Sequence, residues 1–153
     1  MTLRVYLETT VISYLTALPS RDIVQAAHQQ ITREWWERRN RFDLFVSEAV
    51  LEEASRGDAE AATRRLAALE GILVLEVGAE VSGLADELVR SSAIPAIDAV
   101  HIAVAVINGM HYLLTWNCAH IANAALRGKI EETCRGVGLV PPIICTPEEL
   151  MEE

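Results

Sequence analysis

Apolar residues follow two periods along this chain. Short unbroken apolar runs alternate with longer stretches in which apolar positions recur every three or four residues. The first pattern reads as strands and the second as amphipathic helices. Leu3-Arg4-Val5-Tyr6-Leu7, ended by Glu8-Thr9-Thr10, predicts a strand and then a helix with Thr9 or Thr10 as N-cap. Pro19 closes that short helix, and Asp22 to about Arg39 predicts a long one. Asp43 to Ser47 reads as a second strand, and Glu48 to Ser55 as a helix stopped at Arg56-Gly57-Asp58. Ala59 to Leu69 predicts a further helix. Ile72 to Leu75 predicts an apolar strand of the kind buried on both faces.

Further along, Glu80 to Ser91 predicts a helix, and Pro95 opens another that runs to about Asn108 with Gly109 as its C-cap. His111 to Thr115 predicts a strand, and Trp116-Asn117-Cys118 leads into an expected helix through about Ala125. Lys129 to Arg135 reads as helical. Val140 to Cys145 holds a last strand, which its prolines confine to an edge. Thr146-Pro147-Glu148-Glu149 carries the signature of a helix start. Strands alternating with helices predict an α/β fold with a mostly parallel sheet. No linker, repeat or low-complexity segment interrupts it, so a single domain over residues 1–153 is expected.

Composition narrows the function. Hydrophobic residues at 51% and charged residues at 23% supply a sizeable core and exclude disordered and collagen-like classes. The longest apolar runs, such as Ile102–Ile107, are too short to span a bilayer. The N-terminal residues lack the pattern of a secretory signal, so no membrane association and a cytoplasmic location are expected. Thirteen Lys and Arg against 22 Asp and Glu leave a charge of −9. That disfavours broad phosphate neutralisation of a duplex. It is compatible with carboxylates holding divalent metals that meet phosphates, or with a basic protein partner. Cys118, Cys134 and Cys145 form no C-x-x-C pair, so zinc-ribbon and thioredoxin-like chemistry are disfavoured and buried free thiols are expected.

In open parallel sheets, sites form beyond the carboxyl ends of the strands. Glu8 follows the first strand, and Glu48, Glu52 and Glu53 lie on the helix after the second. Asn117 and His120 follow the Tyr112–Thr115 strand, and Asp98 opens the preceding helix at the same end. Converging carboxylates repel and require protons or a cation. Hard oxygen ligands suit Mg²⁺ or Mn²⁺, and such an ion points to phosphodiester hydrolysis. Acids at strand ends also serve as helix caps, so the spacing alone is only moderately specific.

Four segments carry a resemblance. Val5-Tyr6-Leu7-Glu8-Thr9-Thr10-Val11-Ile12-Ser13-Tyr14-Leu15 resembles the opening motif of PIN-domain proteins, and Ser47-Glu48-Ala49-Val50-Leu51-Glu52-Glu53 their second. Asp98-Ala99-Val100-His101-Ile102-Ala103-Val104-Ala105 resembles the third, and Tyr112-Leu113-Leu114-Thr115-Trp116-Asn117 the fourth. Within the family the chain is most similar to the VapC-type toxins of toxin–antitoxin pairs. The resemblance implies a three-layer α/β/α fold and a Mg²⁺- or Mn²⁺-dependent endoribonuclease acting on RNA. It also implies a homodimer inhibited by a cognate antitoxin. It assigns Glu8, Glu53 and Asp98 as metal ligands and adds Asn117 to the catalytic set, with Thr10, Thr115 and His120 in support.

Glu53, rather than Glu52, is the counterpart in the second motif. Two positions depart from the pattern. Glu8 stands where the family has Asp, one methylene longer. Asn117 stands where it has Asp, keeping an oxygen but losing a charge, which should weaken divalent binding. These departures motivate an alternative: a catalytically weakened PIN domain that binds RNA or protein. A phosphohydrolase on small molecules is disfavoured, because no aspartate nucleophile follows the first strand and no phosphate loop occurs. His101 reads as a core histidine, Cys118 as packing, and Trp35, Trp36 and Trp116 as core or interface.

Overall fold

The computed structural model describes residues 2–151. Met1, Glu152 and Glu153 of the expected 1–153 unit lie outside the described residues. Five strands form one sheet: β1 (Leu3–Leu7), β2 (Phe42–Ser47), β3 (Leu73–Leu75), β4 (Tyr112–Leu114) and β5 (Ile143–Cys145). Their order is β3-β2-β1-β4-β5, and every pairing is parallel. Parallel neighbours need crossover connections, which the helices supply. These are α1 (Thr9–Thr16), α2 (Ile23–Glu37), α3 (Glu48–Ala54), α4 (Ala59–Ala68), α5 (Ala79–Ser92), α6 (Ala96–Ile107) and α7 (Ala124–Gly136).

The helices fall into two packed groups, α1 with α2, α3 and α4, and α5 with α6 and α7. With the sheet they make the three-layer α/β/α architecture that the sequence predicts. The core lies along the central strands, where Val5, Tyr6, Leu7, Leu113 and Leu114 are fully buried, with Ile102 and Ala103 of α6 against them. The chain leaves β1 toward β2 and β3, then returns to add β4 and β5 on the other side. The order therefore reverses between β1 and β4, and a crevice at such a switch point is where open parallel sheets place their sites. Gly109 caps α6 as predicted, at φ 64, and its carbonyl accepts from Arg4 Nη2 at 2.6 Å.

Five expectations need correction. The N-cap of α1 is Glu8, not Thr9 or Thr10, because the longer Glu8 side chain reaches the free Thr10 N–H. The Ile72–Leu75 run is not buried on both faces: β3 is an edge strand, with Leu73 65% and Val74 42% exposed. No helix follows Trp116. Residues 118–121 form a turn, and α7 begins at Ala124, earlier than the predicted Lys129, with Asn123 as its N-cap accepting from Ala125 N. Cys118 sits on that turn and is exposed rather than packed, whereas Cys134 and Cys145 are buried. Thr146 and Glu149 exchange capping hydrogen bonds, but residues 147–150 form a turn rather than a helix. Burial raises the Cys134 thiol and pushes Cys145 up to about 12. Trp35 is fully buried and stacks on Phe42, and the Arg39 guanidinium lies over the half-buried Trp36 ring.

Candidate metal centre

Glu8 is the first residue past β1, and its backbone N–H still donates to Leu114 O of β4 at 3.0 Å. Its extended backbone makes it the N-cap of α1, with Oε2 accepting from Thr10 N at 3.2 Å. Oε1 accepts from the hydroxyls of Thr10 at 2.5 Å and Thr115 at 2.6 Å. The extra methylene of Glu8 thus lets one carboxylate cap a helix and reach across to the end of β4. The side chain is buried at 3% exposure.

Glu53 comes from α3, whose start is capped by Ser47 at the end of β2. Its Oε1 accepts from Thr9 Oγ1 and from His101 Nε2, each at 2.6 Å. Burial pushes the Glu53 carboxyl upward, but the hydrogen bonds from His101 and Thr9 and the nearby Arg56 charge outweigh it, so its pKa is lowered. Among the described residues Oε2 of Glu53 takes no hydrogen bond. Glu52, one position away, points to solvent and pairs with Arg56.

Asp98 lies in the first turn of α6, where free backbone N–H groups favour negative charge. Its Oδ1 accepts from Asn117 Nδ2 at 3.1 Å, and His120 Nδ1 stands 3.2 Å from Oδ2. Asn117 Oδ1 accepts from His120 N at 3.0 Å. A backbone N–H can only donate, so this contact fixes the amide orientation and turns the nitrogen toward Asp98. Asn117 therefore meets Asp98 as a donor. Thr115 joins the two groups, since its hydroxyl accepts from Asn117 N at 2.9 Å and donates to Glu8. Trp116 N donates to Thr10 Oγ1 at 2.8 Å, which latches the strand end onto α1. Behind it the Trp116 indole stacks on His28 and donates to Thr32 Oγ1 at 2.7 Å, a packing role.

The structure thus brings Glu8, Glu53, Thr10 and Thr115 into one group and Asp98, Asn117 and His120 into an adjoining one. It also adds residues that the sequence pattern does not assign to the site. His101 is fully buried, and its Nε2 with one carboxylate oxygen each from Glu8 and Glu53 lie within 4.8 Å of one another. Thr9, Tyr6 and Ser47 join through hydrogen bonds. One signal was present. His101 stands three residues after Asp98, on the same helix face, and Tyr6 stands two before Glu8, on the same side of an extended chain.

Three carboxylates stand at one sheet end, and among the described residues no Lys or Arg forms an ion pair with any of them. Only imidazoles do. A set of carboxylate oxygens with no Lys or Arg ion pair fits a hard divalent cation.

Comparison with known proteins follows the same lines. The sequence family described as PIN domain matches residues 5–117, which takes in Glu8, Glu53, Asp98 and Asn117 and stops short of His120. The chain is similar to the crystal structure of VapBC2 from Rickettsia felis bound to a DNA fragment from their promoter. That likeness has a TM-score of 0.57 and 14% identity, and covers 94% of this chain and 98% of that one. It is also similar to PAE2754 from Pyrobaculum aerophilum, with a TM-score of 0.55 and 18% identity over 99% of this chain and 94% of that one. At such identities these structures establish likeness of fold. No curated protein matches the sequence.

Proposed function

The chain belongs to the PIN-domain family, and from that premise we propose that it is a divalent-metal-dependent ribonuclease, the toxin of a toxin–antitoxin pair. One observation carries the reading: Glu8 and Glu53 meet at the β1/β4 switch point, with Asp98 in the adjoining group joined through Asn117 and Thr115, and no Lys or Arg is ion-paired to the three among the described residues. Carboxylates so placed call for a cation.

Oxygens of Glu8, Glu53 and Asp98 would hold Mg²⁺ or Mn²⁺. When bound, such an ion neutralises a phosphodiester and acidifies water. The chain's own residues do the rest. Thr10 and Thr115 hold Glu8, and Thr9 and His101 hold Glu53. Their donors leave each carboxylate little freedom to swing, so the oxygens are set before substrate arrives. His120, 45% exposed beside Asp98, offers a ring N–H to an RNA phosphate at the open side. Asn117 orients Asp98 and spares the site a fourth negative charge.

The likeness to a VapBC2 assembly supports an antitoxin partner. A chain of charge −9 would attract a basic antitoxin segment, with affinity that weakens as salt is added. Homodimerisation and a cytoplasmic location complete the proposal. No helix among the described residues is long and apolar enough to cross a membrane. A second reading, a PIN domain that binds RNA or protein without cutting, is favoured by one contact, the Asn117 amide nitrogen turned to Asp98.

Calorimetric titration of Mn²⁺ into metal-free protein, with Asp98→Ala beside it, separates the two. Saturable binding lost in the variant supports the nuclease reading and justifies a search for the RNA. No binding up to millimolar Mn²⁺ overturns it in favour of the binding module.

A further inference from the structure

Behind Glu53 runs a buried line of polar groups, of which the proposed function uses only His101. Val50 N stands 3.4 Å from Ser47 Oγ, Ser47 Oγ stands 2.7 Å from Tyr6 Oη, Tyr6 Oη stands 2.7 Å from His101 Nδ1, and His101 Nε2 stands 2.6 Å from Glu53 Oε1. Ser47, Tyr6 and His101 are all fully buried. Four elements contribute: α3, β2, β1 and α6.

Counting donors and acceptors fixes the direction of this line. The Val50 backbone N–H can only donate, so Ser47 Oγ accepts there. If the Ser47 hydroxyl then donates to Tyr6, Tyr6 donates to His101 Nδ1, and His101 donates through Nε2–H to Glu53. Every buried proton has an acceptor and every acceptor on the line is used. If the line ran the other way, His101 Nδ1–H would donate to Tyr6 and Tyr6 to Ser47. The buried Ser47 hydroxyl proton would then have no acceptor among its contacts, a costly omission. In a neutral ring it would also set the bare Nε2 lone pair 2.6 Å from a carboxylate oxygen.

Resting on the reading of this site as a metal centre, we infer that Tyr6 and Ser47 are positioning residues. They fix His101 as the Nε2–H tautomer, so that His101 clamps Glu53 and is itself no metal ligand. The imidazole that clusters with the carboxylate pair is thereby committed to hydrogen bonding. The ion is left to carboxylate oxygens, which favours hard cations over those that seek imidazole. Metal-site carboxylates held by outer partners in this way depend on them for affinity.

The first test needs neither metal nor substitution. Long-range ¹H–¹⁵N correlation on histidine-labelled, metal-free protein reads the protonation of each ring nitrogen, and His101→Gln identifies the His101 signals by their loss. A protonated Nε2 with an acceptor-type Nδ1 is expected. A protonated Nδ1, or two averaged nitrogens, overturns the inference. In Tyr6→Phe the His101 nitrogens should move toward a tautomer mixture; an unchanged pattern in a folded variant overturns the role of Tyr6.

The second test is Mn²⁺ affinity. Tyr6→Phe should weaken it about tenfold. His101→Gln, whose amide N–H can replace the Nε2 donor, should bind about tenfold more tightly than His101→Ala. Equal loss in both would mark His101 as a ligand and overturn the inference. If the wild-type chain binds no Mn²⁺, the proposed function fails, while the tautomer measurement still decides the hydrogen-bond direction.

Discussion

Two histidines face two carboxylates at the same end of the sheet, and the two pairs are built differently. His101 is inside α6, fully buried, with both ring nitrogens engaged and Glu53 2.6 Å away. His120 is on a turn, 45% exposed, and 3.2 Å from Asp98. The first pair is held by packing from four elements. The second joins the start of α6 to one turn, through hydrogen bonds to Asn117. The difference separates a rigid wall of the site from an adjustable one. The rigid side sets where the carboxylate oxygens stand. The open side is where a substrate would enter, and where a change of sequence costs the fold least.

The sharpest way to break this comparison is to remove the carboxylate on the open side. Asp98→Ala should lower Mn²⁺ affinity by about 100-fold or more, read by calorimetry, with its thermal midpoint close to wild type. A large fall in the midpoint would show that the open side also holds the fold. Next comes the rigid side. His101→Ala deletes a buried ring and leaves Tyr6 and Glu53 without their partner, so it should cost about 2–4 kcal/mol in urea unfolding. A loss below 1 kcal/mol, on the order of an exposed-site change, would put His101 outside the packed wall.

A pH series tests the same wall more gently. The folded Glu53 carboxyl lies below its ordinary value of 4.5. Its contribution is therefore full above that value and is lost as the pH falls through the folded one. Between roughly pH 6 and pH 3 the wild-type chain should lose more stability than Glu53→Gln does. Parallel curves would contradict the clamp from His101 and Thr9. The smallest effect belongs to His120→Ala, which should change stability by no more than about 0.5 kcal/mol. A larger loss would mean that the turn at residues 118–121 depends on the imidazole.

The same contrast explains what could be read from the sequence. Strands β1, β2 and β4 and helices α2, α5 and α6 follow from apolar period and capping residues, because their burial is set by local pattern. Glu8, Glu53 and Asp98 could be placed because strand ends and a helix start fix them to one edge. Ile72–Leu75 misled because an apolar run does not say how many neighbours its strand has, and β3 has one. Asn117 stands where a helix is expected to start, and it does accept a backbone N–H, but within a turn, while Asn123 caps the helix. His101 reads as a core residue, and it is one. Its role at the site depends on the side chains of Tyr6 and Ser47 meeting across β1 and β2, a meeting of tertiary origin that no single segment encodes. The exposed Cys118 follows from the turn that replaced the expected helix.

The most direct measurement is the anomalous difference map of crystals grown with Mn²⁺. The account predicts a peak ligated by the carboxylates of Glu8, Glu53 and Asp98, with His101 Nε2 still at hydrogen-bond distance from Glu53 Oε1. A peak coordinated by His101 Nε2, or a fully exchanged crystal with no peak at these carboxylates, would contradict it.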